Sequence, residues 1–368
     1  MIEELVFHLG DCKTGTTSLQ LTLAENGWEA PGRSIAYTAK VNHIPLAKTL
    51  TVEREKRFAK PRWTGVRRAF HASEAQQGVI SAEHFEFVAP EALDAALKQY
   101  MPRLAKTARL IAYVRPHADR LVSTFSERVK KGNFSGQMED MHRRLKAQGM
   151  LYYTPRFEKW RQVFGDRFTL HPMVRDQLYK GDVVEDFFHY LFRSEDFRIT
   201  RSDATNSSLS LEDLAMMREI QERIASNNPG INPAQQALGW NIAPMLAGLE
   251  ATTRTKLALH RHLAERVAET YADDAAALDA AFFEGTPMSD ALAAAAGKAI
   301  AEPQSVLASD HFSADEVRRL HAIADFLTRI MEADPRYFTR AARPPEHRNK
   351  PIVPTGGPDE ENNEDNAV

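Results

Sequence analysis

The sequence contains very little cysteine. Cys12 is the only one in 368 residues, which excludes a disulfide bond within the chain and any metal site built from several cysteines. The chain also lacks an excess of charge of either sign, because 47 basic residues face 50 acidic ones. A general attraction to nucleic acid or to an anionic membrane is therefore not expected, and any anion site must be local.

Long apolar runs are missing as well. No stretch approaches the roughly 20 apolar residues that span a bilayer, and the opening MIEELVF carries acids where a signal peptide carries lysine or arginine. These absences predict a cytoplasmic protein without a transmembrane segment. The apolar content of 43% is ordinary for a globular chain, so stability is expected to come from a packed core.

The pattern of residues 1–200 predicts an α/β fold. Short apolar runs alternate with amphipathic helices, which is typical of a parallel sheet covered by helices on both faces. We expect a helix to begin at Pro90, and Asp182 with Glu185 forms a capping pair that predicts another. About five strands are predicted, at residues 5–9, 34–38, 78–82, 109–114 and 167–171.

The composition changes after residue 200. Residues 201–340 hold hydroxyl-rich helix-start signals and much alanine, and we predict a helical C-terminal part, with residues 252–283 favouring one long helix. Residues 341–368 combine proline, glycine and acids with few apolar side chains. Such a segment cannot offset its own ordering entropy, so a disordered tail is predicted there.

The segment LVFHLGDCKTGTTSLQ, residues 5–20, carries the first sign of chemistry. A buried strand ends in Gly10, a loop with Lys13 and Gly15 follows, and hydroxyl residues then begin a helix. This arrangement presents unpaired amide hydrogens and a partial positive charge to one point, and Lys13 adds a full charge. The segment therefore predicts a phosphate-like anion site. It differs from the nucleoside triphosphate loop, because its lysine precedes the second glycine.

The run HLGDCKTGTTSLQ resembles the 5′-phosphosulfate-binding loop of sulfotransferases that use 3′-phosphoadenosine 5′-phosphosulfate (PAPS), especially bacterial ones. The resemblance implies a P-loop-like sulfotransferase fold, PAPS as sulfuryl donor, in-line transfer to a hydroxyl or amine, and no metal ion. It departs at Asp11, where a carboxylate beside an anion costs affinity unless the side chain turns outward. The cofactor contacts implied in this loop are Lys13, Thr14, Gly15, Thr16, Thr17 and Ser18.

The family places a second anion site, for the 3′-phosphate, at a later strand end and in the helix that follows. In RLIAYVRPHADRLVSTFSERVKKG, Arg115 follows the strand and Ser123 lies two helical turns further on, so the resemblance implies that this pair holds the 3′-phosphate. The arginine fork suits a phosphate because it grips two oxygens. Further matches to bacterial sulfotransferases are VISAEHF, FEKWRQVFGDRF, LYKGDVVEDFF, NSSLSLEDL and RVAETYADDAAALDAAFF, the last with Asp273-Asp274 where relatives tend to show Ser-Asn.

Sulfuryl transfer needs a stabilised leaving group and a base. Lys13 would stabilise the charge on the departing phosphate oxygen. Glu83 and His84 follow the third predicted strand, at the edge where open α/β sheets collect ligands, and either could take the acceptor's proton. Relatives use glutamate or histidine, so both stay open, with Glu83 preferred. The basic stretch 53–71 is interpreted as a solvated helix face, or alternatively as a flap that screens an anionic acceptor.

Two other functions compete with a sulfotransferase. One is a catalytically inactive nucleotide-binding interaction module, against which Lys13, Arg115 and Ser123 argue. The other is an atypical P-loop kinase, disfavoured by the order of the loop and by the lack of an evident carboxylate partner for magnesium. The sequence does not identify the acceptor, so a small molecule, a lipid and a glycan all remain open. Nucleic acid is not expected as a partner, and the oligomeric state is open.

Overall fold

The structure is a computed structural model that describes residues 1–201, 209–228, 230, 232–250 and 254–342, except for the side chains of residues 232 and 247. Most of the predicted tail, from residue 343 onward, and the first three residues of the NSSLSLEDL match, 206–208, lie outside the described residues. None of the helices in these ranges combines the length and the apolar character needed to cross a membrane.

A five-stranded parallel sheet forms the centre of the α/β fold, as predicted. Its order is β3-β4-β1-β5-β6, and every neighbouring pair is parallel. Two further strands, β2 and β7, pair with each other antiparallel and were not predicted, because two residues each are too few for a periodic signal. The strands are β1 (Glu4–His8), β2 (Trp28–Glu29), β3 (Ile35–Tyr37), β4 (Gln77–Ser81), β5 (Arg109–Val114), β6 (Phe168–Pro172) and β7 (Arg198–Ile199).

Helices flank this sheet. α4 begins at Pro90 as predicted, where the fixed φ of proline suits the first helical turn. Asp182 caps α8, since its Oδ1 accepts from the backbone N–H groups of Val184 at 2.8 Å and Glu185 at 3.1 Å. The helices are α1 (Thr16–Ala24), α2 (Ile44–Thr51), α3 (Ala59–Ala72), α4 (Pro90–Tyr100), α5 (His117–Lys130), α6 (Met138–Ala147), α7 (Thr154–Phe164), α8 (Val183–Phe192), α9 (Leu211–Asn227), α10 (Asn232–Gly248), α11 (Arg261–Phe282), α12 (Pro287–Lys298), α13 (Ala314–Ala333) and α14 (Pro335–Ala341).

The long helix predicted at residues 252–283 is shorter than expected. Residues 254–260 are not helical, and α11 begins at Arg261. The backbone there forms a bridge instead: Ile300 donates its N–H to Leu259 at 3.0 Å, and Arg261 donates to Ile300 at 2.8 Å. Tertiary pairing thus outweighs the helix propensity on which the prediction rested.

The chain divides into two compact units. The first covers Met1–Arg120, Leu151–Asp203 and Val267–Ala296, and the second covers Leu121–Met150, Ala204–Arg266 and Gly297–Val368. The boundary predicted at residue 200 stays a prediction. The first unit holds the sheet, whose buried side chains pack against the apolar face of α8 in one core cluster; among its members are Val6, Val79, Ile111, Phe187 and Phe188.

Candidate anion-binding and catalytic site

The sheet order brings three predicted parts of the site to one edge. β1 lies between β4 and β5, and all three strands run in the same direction. Their carboxyl ends therefore meet, with the opening loop after β1, Glu83 after β4 and Arg115 after β5. After β1 the chain forms β3 and β4 on one side of that strand, and it then forms β5 and β6 on the other side. Open α/β sheets bind ligands at the position where the strand order reverses in this way.

The opening loop owes its shape to three residues with positive φ. Gly10, Lys13 and Gly15 have φ angles of 41°, 70° and 75°. Lys13 is the informative one, because a non-glycine residue seldom adopts this conformation unless its surroundings impose it. Gly15 is the N-cap of α1, and the helix begins without a side-chain cap. Its first amide groups are thus not used by a capping side chain, as an anion site requires.

Both glycines of the loop are also required by space. A Cβ on Gly15 would stand 2.6 Å from Cγ1 of Val183, and one on Gly10 would stand 2.7 Å from Cγ2 of Thr16. Contacts this short are not found for real side chains. The loop is therefore packed tightly against α8 on one side and against its own helix on the other.

The hydroxyl residues of the loop are not equivalent. Thr14 is fully buried, and its Oγ1 donates to the carbonyl of Asp11 at 2.7 Å, so this hydroxyl shapes the loop. Thr16 and Ser18 are also buried, whereas Thr17 is exposed. The structure brings the predicted residues Lys13 to Ser18 together in one turn and the start of α1. The part of Thr14 that can reach an anion is its backbone.

Asp11 does not turn outward, although its carboxylate stands in a loop predicted to bind an anion. Its residue surface is only 2% exposed, and Arg156 of α7 donates to both carboxylate oxygens, Nη1 to Oδ1 at 2.7 Å and Nη2 to Oδ2 at 2.5 Å. Burial raises the pKa of Asp11, and the Arg156 guanidinium opposes that rise. The paired guanidinium offsets the negative charge that would otherwise repel an anion at this loop.

A second buried ion pair holds the next residue of the loop. Arg120 donates Nη2 to Oε1 of Glu86 at 2.9 Å, while Oε2 of Glu86 accepts from the backbone N–H of Cys12 at 3.0 Å. Arg120 also donates to the carbonyl of Cys12. Burial alone would raise the pKa of Glu86, but the charges of Arg120 and Arg156 lower it to about 2. These contacts fix the backbone of the loop at Cys12.

The thiol of Cys12 is not activated by this environment. Burial raises its pKa well above the usual range, and the charge of Glu86 adds to the rise. A buried thiol of raised pKa is a poor nucleophile. Cys12 therefore contributes its backbone to the loop rather than a reactive sulfur.

Arg115 reaches the opening loop directly. It lies between β5 and α5, and its Nη1 donates to the carbonyl of Lys13 at 2.9 Å. Burial lowers its pKa. Across the described ranges Arg115 forms no direct ion pair, but the charge of nearby Asp119 acts on it and partly opposes the effect of burial. Ser123 lies within α5, partly buried, and belongs to the second unit whereas Arg115 belongs to the first. The role of Ser123 stays a prediction.

Glu83 and His84 both follow β4, but their surroundings differ. The Cα of Glu83 would stand 3.3 Å from a Cβ on Gly10, so its backbone packs against the loop. Its Oε2 accepts from Nε2 of Gln20 at 2.9 Å. His84 has its ring edge-on to Phe87, with centroids 5.9 Å apart. The contacts of Glu83 thus lead towards the loop and α1.

Asp274 has a structural role within the first unit. Its two carboxylate oxygens accept from the backbone N–H groups of Tyr153 at 2.8 Å and Thr154 at 3.0 Å, at the start of α7. Nε2 of His117 lies 3.2 Å from the same carboxylate. Asp274 therefore ties α11 to the helix that carries Arg156 and to the first residue of α5.

The basic stretch 53–71 corresponds to a short turn and α3. Of its two acids, Glu53 pairs with Lys56 on the surface, and Glu55 is buried and accepts from Arg62 at 2.7 Å. Arg57, Lys60, Arg67 and Arg68 are exposed. Both interpretations of this stretch, a solvated helix face and a flap over an anionic acceptor, stay predictions.

Comparison with known proteins does not show a family for this chain. No protein-family model matches the sequence, and no curated protein matches it. Among solved structures, the chain is similar to a sulfotransferase from Alicyclobacillus acidocaldarius, with 12% identity, a TM-score of 0.40, and coverage of 80% of this chain and 99% of that chain. Similarity at this level does not assign a function, so the residues of the site have to carry it.

Proposed function

We propose that this protein is a PAPS-dependent sulfotransferase that transfers a sulfuryl group to a hydroxyl or amine. The observation that carries the proposal is the meeting of Lys13, the start of α1 and Arg115 at one loop, with the Arg115 guanidinium bonded to the Lys13 carbonyl. One residue of each predicted anion site, Lys13 and Arg115, therefore meets in a direct contact, which supports the proposal. An inactive nucleotide-binding protein would need the first site, but it would not need a base beside it.

The charges around the loop suit a ligand with several negative groups. The two buried carboxylates, Asp11 and Glu86, are each bonded to a guanidinium, so neither leaves an uncompensated negative charge. Lys13 and Arg115 add two cations, and the start of α1 adds amide donors. This donor set fits a phosphosulfate with a further phosphate nearby, and Ser123 remains its predicted additional ligand.

The residues of the site have distinct parts in the reaction. PAPS supplies a sulfuryl group bonded to its 5′-phosphate. An acceptor oxygen or nitrogen forms the new bond to sulfur as the bond between sulfur and the phosphate oxygen breaks. Lys13 and the loop amides stabilise the charge that grows on that oxygen. Glu83 acts as the general base and takes the acceptor's proton.

A calorimetric titration tests the donor. The wild-type protein should bind adenosine 3′,5′-bisphosphate much more tightly than AMP, because charged arginine contacts contribute about 1.5 to 3 kcal/mol each. Arg115→Ala should reduce this preference. It should also weaken AMP somewhat, since the variant loses the bond to the Lys13 carbonyl. Arg167→Ala is the matched control, because Arg167 also donates to a backbone carbonyl, that of Ala105 at 2.8 Å.

Incubation with radiolabelled PAPS and an extract of the native cell tests the reaction and identifies the acceptor. Tight bisphosphate binding without a labelled product would favour the inactive module. Equal binding of AMP, ATP and the bisphosphate would contradict PAPS as donor. Binding and turnover of ATP that depend on magnesium would favour the kinase.

A further inference from the structure

A short chain of buried polar side chains connects β1, α1 and Glu83. Nδ1 of His8 lies 2.8 Å from Oγ of Ser81. Nε2 of Gln20 lies 3.3 Å from the same hydroxyl and 2.9 Å from Oε2 of Glu83. His8 and Ser81 are fully buried, and Gln20 is 2% exposed. A glutamine on the helix of the anion loop is thus bonded to the carboxylate that we propose as the base.

The orientation of the Gln20 amide follows from its partners. An ionised carboxylate only accepts hydrogen bonds, so the amide nitrogen and not the amide oxygen must face Glu83. The nitrogen carries two hydrogens, and Ser81 can accept the second. In the part of the chain that the structure describes, Gln20 is the only side chain that hydrogen-bonds Glu83. Gln20 therefore holds Oε2 of Glu83, and we assign Oε1 of Glu83 to the acceptor.

We propose that Gln20 is a positioning residue that orients the Glu83 carboxylate for proton transfer. The inference rests on the proposed function, because it assigns a positioning residue to the base of that reaction. A donor bonded to a carboxylate stabilises its charged form. The same bond fixes the side chain beside the loop, and a base must be aligned with the proton that it takes.

Several titratable groups around Glu83 do not change charge near neutral pH. Burial lowers the pKa of His8 to about 3. Burial also raises the pKa of Tyr37 on β3 and of Cys12 in the loop far above neutrality, and the charge of Glu83 adds to both. Burial also lowers the pKa of His43, which accepts from the Ser81 backbone, to about 4, and Glu86 in the same turn as Glu83 has a pKa of about 2. Lys13 in the opening loop and His84 beside Glu83 are further titratable groups on these elements. His84→Gln, measured alongside, shows whether His84 affects the titration of Glu83.

The experiment follows the Glu83 carboxyl by carbon-13 NMR across a pH series, with its signal assigned through Glu83→Gln. Gln20→Met keeps the length and volume of the side chain but removes the donor, and should raise the Glu83 midpoint by about one pH unit. Gln20→Glu keeps the shape and adds a like charge, and should raise it further. The kcat for transfer from PAPS should fall on the order of ten- to a hundredfold in Gln20→Met, with little change in bisphosphate affinity.

Gln77→Met is the matched control. Gln77 is also a buried glutamine whose Nε2 donates to a glutamate, Oε2 of Glu4 at 2.9 Å, but this pair is at the opposite end of β1 and β4. It should leave the Glu83 midpoint unchanged. An unmoved midpoint in both Gln20 variants overturns the inference, as does a loss of kcat no larger than that of Gln77→Met. A wild-type protein without transfer activity contradicts the proposed function, while the NMR midpoint still decides whether Gln20 donates to the Glu83 carboxylate.

Discussion

The carboxylate of Asp11 and the guanidinium of Arg156 form two parallel hydrogen bonds, at 2.7 Å and 2.5 Å, across 145 positions of sequence. Asp11 belongs to the proposed phosphosulfate loop and Arg156 to the first turn of α7. Because the pair neutralises a charge that would repel an anion, α7 supports the proposed anion site without needing to touch the anion.

Removal of Arg156 should therefore damage both stability and nucleotide binding. Arg156→Gln leaves the Asp11 carboxylate buried without its main partner, and breaking such a pair costs about 3 kcal/mol of unfolding free energy. The bisphosphate should also bind more weakly, since Asp11 then faces it uncompensated. Denaturant unfolding and calorimetry measure the two effects. The double variant Asp11→Asn with Arg156→Gln should recover part of both, and no recovery would show that the pair does not act through charge.

Lys13 should matter more for turnover than for binding. Lys13→Met keeps the length of the side chain and removes the charge that would answer the departing phosphate oxygen. We expect kcat to fall about 100- to 1,000-fold, with a much smaller loss of bisphosphate affinity, because that charge grows only in the transition state. Lys106→Met, at an exposed position, is the control. Equal losses in kcat and in affinity would assign Lys13 to ground-state binding alone.

The sequence predicted those features that depend on local patterns. Four of the five strands of the sheet are short and largely buried runs, and Pro90 and Asp182 stand where helix starts need them. The loop was visible because glycine, lysine and hydroxyl residues follow one another. Parallel strands then required that the ends of β4, β1 and β5 meet once their order was known.

The sequence did not predict the ion pairs that hold the loop. Arg120 and Arg156 are ordinary helix residues by pattern, and their partners Glu86 and Asp11 lie 34 and 145 positions away. Only the packing of α5 and α7 against the loop makes these pairs. Gln20 was equally invisible, because a glutamine two residues past the hydroxyl run carries no signal until Glu83 is placed beside it.

Glu83 and His84 can be separated by paired substitutions. Glu83→Gln keeps the side-chain shape and removes proton acceptance, so we expect kcat to fall on the order of 100- to 10,000-fold. His84→Gln should change kcat by less than tenfold if Glu83 is the base, because His84 then takes no proton from the acceptor. Transfer from labelled PAPS to the identified acceptor measures both. A near-normal rate for Glu83→Gln would make His84 the base.

Gly15 should be irreplaceable by alanine. The variant combines a positive φ of 75° with a Cβ placed 2.6 Å from Val183, and we expect a loss of about 2 to 4 kcal/mol of unfolding free energy. Gly285 has nearly the same φ, 77°, and nothing within 4 Å of an added Cβ. Gly285→Ala therefore measures the backbone strain alone. Similar losses in the two variants would mean that the contact between the loop and α8 yields easily.

Glu86 should make the unfolding free energy of the protein depend on pH. Its pKa is lowered from 4.5 to about 2 in the folded state, where burial opposes ionisation but Arg120 and Arg156 prevail. A lowered carboxyl pKa contributes stability that is fully present above the unfolded pKa of 4.5 and is lost as the pH falls towards 2. For a side chain only 5% exposed, this contribution amounts to about 3 kcal/mol.

The measurement is the difference in unfolding free energy between the wild type and Glu86→Gln at pH 7, 5, 4 and 3. The wild type should hold a nearly constant advantage down to about pH 5 and should lose more than half of it by about pH 3, because Glu86 of the unfolded chain is then protonated while Glu86 of the folded chain is still ionised. Asp11 is present in both proteins, so the subtraction removes most of its own titration. Glu91→Gln, at an exposed position in the first turn of α4, controls for the general effect of acid. An advantage that stays constant from pH 7 to pH 3 would mean that the Glu86 carboxylate is not held ionised, and the second ion pair would then not be what fixes the loop at Cys12.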